Sequence, residues 1–272
     1  MTLSSDPGFG RLLRRLEGQN LPSLDRYKER CLSRRLAVRM RACGVSTLSE
    51  YADLVGTIPG ELDRLREAIT INVTGFFRNP EVWAKVQTIL DAEDSSRPVR
   101  RRAWSAGCAT GEEAWTLAMV LAETVQRPGS ALSRRFEVDA TDLDEPSLEV
   151  ARKGRYPVAA AKEAPPGVMA RWTRKTEVGF EVSPRLRQAV SFRSHDMSRD
   201  PAPGTDYHLV VCRNVLIYFS RELQEELFAA FAAALRPGGL LVLGKVETLS
   251  GTSRGLFETV DGRERIFRRS RD

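Results

Sequence analysis

The residues with the clearest chemical potential surround a glycine-containing junction between a predicted strand and a predicted helix. Residues 104–113 read WSAGCATGEE, which puts Gly107 at the strand exit and Gly111 directly before the helix. Glycines at such a junction let a ligand approach the backbone closely, as in nucleotide-binding α/β sheets. The spacing matches neither G-x-G-x-x-G nor G-x-x-x-x-G-K-[ST], and Glu112 and Glu113 occupy the helix start, where a phosphate would otherwise bind. The junction therefore predicts a ligand that carries positive charge rather than phosphate.

A second acidic position follows the next predicted strand. Residues 141–144 read TDLD, and a carboxylate at a strand end can accept hydrogen bonds from the hydroxyls of a ribose. S-adenosylmethionine combines a ribose with a cationic sulfonium and a cationic ammonium and carries no phosphate, so it fits both signals. The alternative role for Asp142 or Asp144 is the N-cap of the following helix. Together the two positions favour S-adenosylmethionine as the cofactor.

Metal and thiol chemistry find no support in the sequence. The cysteines form no C-x-x-C pair, so we expect neither a disulfide framework nor a zinc site. His195 and His208 are the only histidines, and we expect both to be structural. The four cysteines are Cys31, Cys43, Cys108 and Cys212.

The residues from Val99 onward alternate strands with helices. This alternation predicts an α/β domain with a parallel sheet that helices cover on both faces. Pro237-Gly238-Gly239 predicts the end of the last long helix, and Asp261-Gly262 predicts an antiparallel hairpin at the C-terminus. The predicted strands are Arg101–Ser105, Phe136–Ala140, Ala189–Phe192, His208–Cys212 and Leu240–Leu243, and the predicted helices are Glu112–Glu123, Glu145–Lys153 and Arg221–Leu235.

A helical segment precedes the sheet. Residues 9–90 show helical patterning interrupted by turn signals, so we expect a small N-terminal helical domain there. The polar stretch 91–98 would be the linker to an α/β domain at 99–272. Residues of about 156–187 hold four prolines and do not fit the alternation. They predict an inserted β-subdomain, which either serves a partner or has no separate role.

The N-terminal segment carries a concentrated positive charge. Between residues 11 and 41, ten Lys or Arg residues stand against three acidic ones, a local net charge of 10 − 3 = +7, whereas the whole chain has 42 − 36 = +6. A helix predicted over Leu24–Cys43 would put Arg26, Arg30 and Arg34 at i, i+4 spacing on one face. That face is either a solvated surface or a docking surface for an acidic partner. The stretch holds only one aromatic residue, which favours an acidic protein over a single-stranded nucleic acid.

Composition narrows the class of protein further. A chain with 42% hydrophobic and 29% charged residues is ordinary for a folded protein in water, which excludes a disordered or fibrous protein. No window approaches the roughly 18 uninterrupted apolar residues of a membrane span, and the first ten residues lack a basic start followed by an apolar signal segment. We therefore expect a cytoplasmic protein without membrane insertion. We also expect a monomer, although the sequence carries no signal of oligomeric state.

Four motifs follow one another along the chain. Residues 69–78 read ITINVTGFFR, residues 110–113 read TGEE, residues 141–142 read TD and residues 212–219 read CRNVLIYF. These motifs, in this order, resemble those of the chemotaxis-receptor glutamate methyltransferases, the CheR family. The likeness spans roughly Leu12 to Arg268 and includes a helical N-terminal domain and a small β-subdomain inserted in the methyltransferase sheet.

The resemblance implies a class I S-adenosylmethionine-dependent methyltransferase of Rossmann-like fold, which converts receptor glutamates to methyl esters and releases S-adenosylhomocysteine. The family recognises acidic cytoplasmic receptor helices with its helical domain, a role that would fall to Arg26, Arg30 and Arg34. Arg78 and Tyr218 would be the catalytic residues that face the methyl group and the substrate. The implied cofactor residues are Asn72, Thr74 and Arg78 at the methionine end, Glu113 at the amino group, Asp142 at the ribose, Asp196, Met197, Cys212 and Arg213 around the adenine and neighbouring atoms, and Gly107 in the strand-exit loop.

Three features depart from the family pattern. Many relatives have Asn where this chain has Asp196, and a carboxylate can accept but not donate a hydrogen bond at the adenine. Of a Gly-His-Ser-Glu motif that some relatives carry after the fifth strand, only Gly244 and Glu247 remain. In some relatives the β-subdomain docks a peptide at the receptor C-terminus, and the sequence leaves this open here. It also leaves open which of Glu112 and Glu113 contacts the cofactor.

Methyl transfer to a carboxylate suits this set of residues. A glutamate with an ordinary pKa of about 4.3 is ionised at neutral pH, so the reaction needs no general base. We expect Arg78 to orient the cofactor or the substrate and Tyr218 to donate a hydrogen bond that aims the nucleophile. Two alternatives stay open: a nucleic-acid methyltransferase, and a non-catalytic S-adenosylmethionine-binding signalling scaffold. Against the first, residues 214–218 read NVLIY rather than the Asn/Asp-Pro-Pro-Tyr motif of amino-methyltransferases.

Overall fold

Two units make up the part of the chain that the computed structural model describes, which is residues 3–19, 21, 23–70, 73–94, 100–124, 132 and 135–271. The first unit comprises Met1–Ile71 with Tyr218–Gln224, and the second comprises Asn72–Ile217 with Glu225–Asp272. In the described residues no helix has the length and apolar character needed to cross a membrane.

The first unit is helical, and its core lies between the apolar faces of its helices. Leu12, Leu36 and Tyr51 are almost fully buried there. Gly8 permits a close approach of the first and third helices, because a Cβ at this position would lie 2.5 Å from the backbone nitrogen of Ser49. The helices are α1 (Pro7–Leu16), α2 (Glu29–Ala42), α3 (Leu48–Leu54) and α4 (Glu61–Ile69).

The basic helix α2 begins later than predicted. A 3-10 turn at Leu24–Arg26 is followed by an extended residue, Tyr27, and α2 begins only at Glu29. Tyr27 forms an isolated β-bridge with Phe219, which holds its backbone out of the helix. Arg26 therefore lies outside α2, and the prediction that it shares a helix face with the other two docking arginines is wrong.

A buried ionic cluster joins α2 to the start of α4. Glu61 is 1% exposed and accepts hydrogen bonds from the guanidinium of Arg39, at 2.7 and 2.9 Å, and from the hydroxyl of Tyr51, at 2.7 Å. Burial alone would raise the pKa of Glu61, but these hydrogen bonds hold it below its ordinary value. The carboxylate is therefore charged and paired inside the helical unit.

The second unit contains two sheets. In the described residues its strands are β1 (Arg101–Ala106), β2 (Phe136–Asp142), β3 (Arg155–Tyr156), β4 (Thr173–Thr176), β5 (Gly179–Val182), β6 (Val190–Ser194), β7 (Tyr207–Cys212), β8 (Leu235–Leu243), β9 (Phe257–Asp261) and β10 (Ile266–Arg269). The larger sheet has the order β6-β2-β1-β7-β8-β10-β9. The first five strands run parallel to one another, and β10 runs antiparallel to both of its neighbours, β8 and β9. The predicted α/β class, with a parallel sheet and a C-terminal antiparallel hairpin, is confirmed.

Six further helices follow α4 in the described residues. They are α5 (Pro80–Asp94), α6 (Glu112–Thr124), α7 (Glu145–Lys153), α8 (Pro166–Trp172), α9 (Pro184–Arg187) and α10 (Arg221–Ala234). The linker expected at 91–98 thus begins inside α5, and its residues 95–98 lie outside the described part of the chain.

Helix α5 packs in the core of the second unit. Its residues Val82, Val86 and Leu90 are buried in the core that also contains Trp115 of α6. The helical unit consequently ends at Ile71, which differs from the boundary expected at residue 90. Helical periodicity alone does not distinguish a helix of a separate domain from one that covers a sheet.

Two further boundaries differ from the prediction. Strand β8 begins directly after α10 and includes Pro237-Gly238-Gly239, because Leu235 pairs with Tyr207 before the register shifts. Between β9 and β10 the connection has four residues instead of the two-residue turn expected at Asp261-Gly262. The carboxylate of Asp261 accepts the N–H groups two and three residues later, which stabilises the longer turn.

The smaller sheet is antiparallel, in the order β3-β5-β4, and interrupts the alternation between α7 and β6. With α8 and α9 it occupies the segment expected to be inserted, 156–187. Its residues Tyr156 and Phe180 are buried in the same core as α5 and α6. The insertion is therefore packed into the second unit.

Replacing Glu61 by Ala should destabilise the protein by about 3–5 kcal/mol, because the largely buried guanidinium of Arg39 would lose its partner. Denaturant unfolding of the full chain, followed by circular dichroism, measures the loss. Asp63→Ala on the same helix is the matched control, since the Asp63 side chain is 68% exposed and its pair with Arg66 contributes no more than about 1 kcal/mol. Equal losses from the two variants would contradict a stabilising role for the buried cluster.

Candidate active site

The loop that follows β1 is fixed against the end of β2. The N–H groups of Gly107 and Cys108 both donate to the carbonyl of Thr141, at 2.8 and 3.0 Å. Gly107 has a φ of +77°, and a Cβ there would lie 2.7 Å from Cγ2 of Val215. Only glycine therefore fits at the strand exit without a shift of the neighbouring chain.

The two acidic residues at the end of β2 have different surroundings. Asp144 is the N-cap of α7 and accepts hydrogen bonds from the N–H and the hydroxyl of Ser147, at 3.2 and 2.6 Å. Asp142 is half-buried, and its carboxylate accepts the N–H of Ala109 at 2.8 Å and that of Asp144 at 3.0 Å. Burial raises the pKa of Asp142, and the two N–H groups oppose this rise. The N-cap alternative thus applies to Asp144, while Asp142 holds the loop after β1 through the N–H of Ala109.

Glu113 lies in the first turn of α6, beside the ends of β1 and β7. It accepts a hydrogen bond from the hydroxyl of Ser105 at 3.0 Å, and a guanidinium nitrogen of Arg213 lies 3.7 Å from its other oxygen. Burial raises the pKa of Glu113 to about 7, against the opposing effects of Arg213 and Ser105. A buried acid with this pKa gains charge readily when a cation binds beside it.

The neighbouring acid, Glu112, is held differently. Its carboxylate accepts a hydrogen bond from the hydroxyl of Thr110 at 2.6 Å, and the carbonyl of Thr110 accepts one from the hydroxyl of Tyr156 at 2.7 Å. Burial raises the pKa of Glu112 as well. Of the two acids that the sequence left open, Glu113 is the one in contact with residues of β1 and of the chain after β7.

The segment that carries Arg78 contains two residues with unusual backbone angles. Phe77 and Asn79 have φ values of 54° and 59°, in the left-handed region that few non-glycine residues adopt. The guanidinium of Arg78 donates to the carbonyl of Val73 at 2.9 Å, and Thr74 between them is half-buried. Asn72, also expected at the cofactor, lies outside the described residues.

Arg213 joins this segment to the end of β7. Its side chain is 2% exposed and donates to the carbonyl of Arg78 at 3.0 Å and to Oδ1 of Asn79 at 2.8 Å. Its guanidinium also lies over the ring of Trp83, 5.4 Å from the centroid. Burial lowers the pKa of Arg213, and the charge of Glu113 opposes this. Cys212, the last residue of β7, is fully buried, and burial raises the pKa of its thiol well above the ordinary value.

The turn after β6 holds the two remaining residues of the expected adenine site. Asp196 accepts the N–H and the hydroxyl of Ser198, at 2.9 and 2.6 Å, so one of its oxygens is used within the turn. Met197 is half-buried. The N–H of His195 donates to the carbonyl of Asp142 at 2.9 Å, which keeps this turn next to the end of β2.

Tyr218 is grouped with the helical unit and is held there by α2 and its preceding turn. Its carbonyl accepts the N–H of Lys28 at 2.8 Å, and the guanidinium of Arg35 lies 4.8 Å from the centroid of its ring. Arg35 is buried and also donates to the carbonyls of Ala68 and Ile69, at 2.7 and 2.6 Å. The sequence does not distinguish Arg35 from the exposed arginines beside it, because their types and spacing are alike.

Glu247, from the partial Gly-His-Ser-Glu motif, has a structural role that the sequence does not predict. Its buried carboxylate accepts the N–H groups of Gly244, Asn214 and Ile217, at 2.7, 3.0 and 3.3 Å. Asn214 has a φ of +63°. Glu247 thereby fixes the chain after β7, directly before Tyr218 in the sequence. Its distance of 30 residues from Ile217 leaves no local signal of this contact.

These residues offer a ligand acceptors rather than donors. Glu113 and Asp142 present carboxylates at the strand ends, while the N–H groups of residues 107–109 are already bonded to Thr141 and Asp142. A phosphate would need such N–H groups free. This set of acceptors therefore fits a cationic, ribose-containing cofactor such as S-adenosylmethionine. In the described residues no group of three or more His, Cys, Asp or Glu side chains could hold a metal ion.

Comparison with known proteins gives two family matches that together cover most of the chain. The all-alpha domain of CheR methyltransferases matches residues 23–70, and the SAM-binding domain of CheR methyltransferases matches residues 72–266. The chemotaxis protein methyltransferase of Listeria monocytogenes is 33% identical over 250 residues, which is 89% of this chain and 88% of that protein.

Two further relatives differ in their coverage. An uncharacterised 104.1 kDa protein of Rhodobacter capsulatus is 34% identical over 244 residues, and this chain, 89% of which aligns, spans only 25% of its length. The solved amino pentose methyltransferase of Micromonospora echinaspora is 23% identical, with a TM-score of 0.35 over 60% of this chain and 49% of that one. This structural overlap is too small to support an argument. From the two domain matches and the Listeria relative, the chain belongs to the CheR methyltransferase family, whose cofactor is S-adenosylmethionine.

Proposed function

We propose that this chain transfers the methyl group of S-adenosylmethionine to glutamate side chains on the cytoplasmic helices of chemoreceptors. The products are glutamate methyl esters and S-adenosylhomocysteine. The observation that carries the proposal is the pair of carboxylates at the strand ends, Glu113 and Asp142, in a chain of the CheR family. The name of the Listeria relative, chemotaxis protein methyltransferase, supports receptor proteins as the substrate class. The proposed setting is the cytoplasm, where the chain acts as a monomer.

The cofactor, when bound, supplies a methyl group on a sulfonium, which a carboxylate can attack. In our proposal Glu113 holds the cofactor ammonium and Asp142 accepts hydrogen bonds from the ribose hydroxyls. The family resemblance assigns Thr74, Asn72 and Arg78 to the methionine end of the cofactor. The implied adenine residues are Asp196, Met197, Cys212 and Arg213, with Gly107 allowing the close approach of the ligand to the loop.

The acceptor needs no general base. A substrate glutamate with an ordinary pKa of about 4.3 is ionised at neutral pH, so the protein has only to orient it and exclude water. Charge disappears as the carboxylate reacts with a sulfonium, so few strong dipoles are needed at the reacting atoms. Arg78 orients the cofactor or the substrate carboxylate, and the hydroxyl of Tyr218 donates a hydrogen bond that aims the nucleophile.

The partner surface is proposed on α2. Arg30 and Arg34 are both exposed there, whereas Arg35 is buried. Guanidinium groups form paired hydrogen bonds with carboxylates, which suits them to an acidic receptor helix. Arg26, on the preceding turn, is half-buried and contributes to the same positive field from outside the helix.

The proposed function is tested with purified chain, S-adenosylmethionine labelled in its methyl group and receptor-containing membranes from its own source. Label should enter membrane protein and be released as volatile methanol by alkali, because a glutamate methyl ester is base-labile. Label in nucleic acid would contradict the proposal in favour of a nucleic-acid methyltransferase. Binding of S-adenosylhomocysteine without transfer to any receptor would favour a non-catalytic scaffold.

Tyr218→Phe is the sharpest variant for this assay. The ring keeps its contact with Arg35, so the fold is retained and only the hydroxyl is lost. We expect kcat to fall by roughly tenfold or more, with the Kd of S-adenosylhomocysteine unchanged. Normal turnover of this variant would remove Tyr218 from the catalytic residues.

Cofactor affinity should depend on pH through Glu113. Its pKa of about 7 means that the acid is increasingly protonated as the pH falls below 7, while a cofactor ammonium binds the ionised form. The Kd of S-adenosylhomocysteine, measured by calorimetry between pH 5 and 7, should therefore rise by up to about tenfold per pH unit of acidification. Glu113→Gln should bind weakly and lose this slope, whereas Glu112→Gln, which keeps an acceptor for Thr110, should retain it. A wild-type profile without slope would argue against the role of Glu113.

Charge reversal on α2 separates docking from solvation. The double variant Arg30→Glu/Arg34→Glu should raise KM for the receptor by about tenfold or more, with cofactor affinity unchanged, because it repels an acidic helix. Arg11→Glu/Arg14→Glu on α1 makes the same change in net charge and is the control. If both double variants shift KM equally, the effect is one of net charge, and α2 is then only a solvated face.

A further inference from the structure

We propose that the inserted subdomain is a positioning element of the methyltransferase site, in which Tyr156 fixes the cofactor loop and Glu163 fixes the segment that carries Arg78. This inference rests on the proposed function, in which Arg78 and the loop of residues 107–111 act on the cofactor. It gives the insertion a part in the reaction itself, separate from any docking of a partner.

Tyr156, the last residue of β3, binds the cofactor loop directly. Its hydroxyl donates to the carbonyl of Thr110 at 2.7 Å. Gly111 follows with a φ of +94°, and a Cβ there would lie 3.0 Å from the same hydroxyl and 2.6 Å from Cβ of Ala151. Helix α7, through Ala151, and the insertion, through Tyr156, thus lie so close to the loop that it needs glycine at this point. The loop leads straight into the helix start that bears Glu113.

The ring of Tyr156 continues the contact to the Arg78 segment. Its centroid lies 5.0 Å from that of Phe76 in an edge-to-face arrangement, and Phe76 in turn lies 5.3 Å from Phe180 of β5. All three aromatic side chains are buried. Edge-to-face aromatic pairs contribute stabilisation beyond the area they bury and favour one relative orientation. Phe76, two residues before Arg78, is therefore held between two residues of the inserted sheet.

The backbone of the Arg78 segment is held by the same insertion. The N–H of Phe76 donates to the carbonyl of Ala160 at 2.9 Å, and the N–H of Asn79 donates to Oε2 of Glu163 at 2.8 Å. The two N–H groups between them donate to Thr116 and Gly75. Two of the four consecutive N–H groups are thus satisfied by the insertion.

Glu163 is a surface residue of the insertion. It is exposed, lies outside the named helices and strands, and supplies a charged acceptor to a residue whose φ of 59° is unfavourable for most side chains. A hydrogen bond to a carboxylate is stronger than one to a neutral group, so it offsets strain at Asn79. The carboxylate therefore stabilises the backbone conformation that sets the direction of the neighbouring Arg78.

Positioning and docking make different kinetic predictions. A residue that only docks a receptor changes KM for the receptor, whereas one that positions Arg78 changes kcat and the affinity for cofactor. Small displacements of a reacting or orienting group lower rates strongly, because the reactive geometry is narrow. The comparison of kcat with KM therefore decides between the two roles.

The decisive experiment compares two variants at Glu163 with one control variant at Glu177, all in the full chain. Glu163→Ala should lower kcat by about tenfold and raise the Kd of S-adenosylhomocysteine roughly threefold or more, with KM for the receptor and Tm nearly unchanged. Glu163→Gln keeps an acceptor oxygen for the N–H of Asn79 and should restore most of the rate. Glu177→Ala removes an exposed carboxylate from the turn between β4 and β5 and should leave all four quantities unchanged.

Two further measurements exclude a merely structural effect. In an Arg78→Ala background, Glu163→Ala should lower kcat by no more than about twofold, because the residue acts through Arg78. Tyr156→Phe keeps the aromatic contacts and removes the hydroxyl that donates to Thr110, so it should raise the Kd of S-adenosylhomocysteine without lowering Tm by more than a few degrees.

The outcomes are separable from those of the proposed function. If Glu163→Ala changes only KM for the receptor, or changes nothing while wild type turns over, the positioning role is overturned and the proposed function stands. Full additivity of Glu163→Ala with Arg78→Ala would overturn it too. Failure of wild type to bind S-adenosylhomocysteine would overturn both.

Discussion

Burial of negative charge at the ends of parallel strands is the constraint on which the rest of the site depends. Because β1, β2 and β7 run parallel, their carboxyl ends meet at one edge of the sheet, where Glu113 and Asp142 lie. Burial raises the pKa of both acids. A cationic ligand relieves this cost by interacting with the ionised forms, and an anionic one increases it. Burial of these two acids therefore favours a cationic ligand over an anionic one.

The guanidinium of Arg213 interacts with this buried negative charge and also fixes the neighbouring backbone. Arg213 lies 3.7 Å from Glu113 and also donates to the carbonyl of Arg78 and to the side chain of Asn79. A buried guanidinium loses its hydration, and such hydrogen bonds compensate for that loss. The charge state of Glu113 and the conformation of the Arg78 segment are consequently coupled through one side chain, so a change at either should be felt at the other.

The sequence predicted most of what depends on local pattern. Alternating strands and helices predicted the parallel sheet. The glycine at the strand exit was predicted to admit a ligand, whereas the neighbour that requires a glycine at Gly107 in the structure is Val215. Contacts between distant residues could not be predicted in this way. Tyr27 pairs with Phe219, almost 200 residues away, and therefore lies outside the basic helix. Helix α5 shares a buried core with α6, and helical periodicity does not reveal which core a helix joins. The contacts of Glu247 with Ile217 and of Tyr156 with Thr110 span at least 30 residues in sequence, so they were not predicted either.

Helix α2 makes a related point about charge. Its arginines are nearly uniform in sequence, yet Arg34 is exposed and Arg35, one residue later, is buried against the ring of Tyr218 and the last carbonyls of α4. Adjacent helix positions differ by about 100° in direction, so neighbours of one type can serve opposite faces. The local net charge of +7 therefore overstates the positive charge that is accessible to a partner, because one of these basic side chains, that of Arg35, is buried inside the helical unit. The buried arginine satisfies carbonyls at the end of α4 and packs on an aromatic ring, and only the exposed ones are available to an acidic helix.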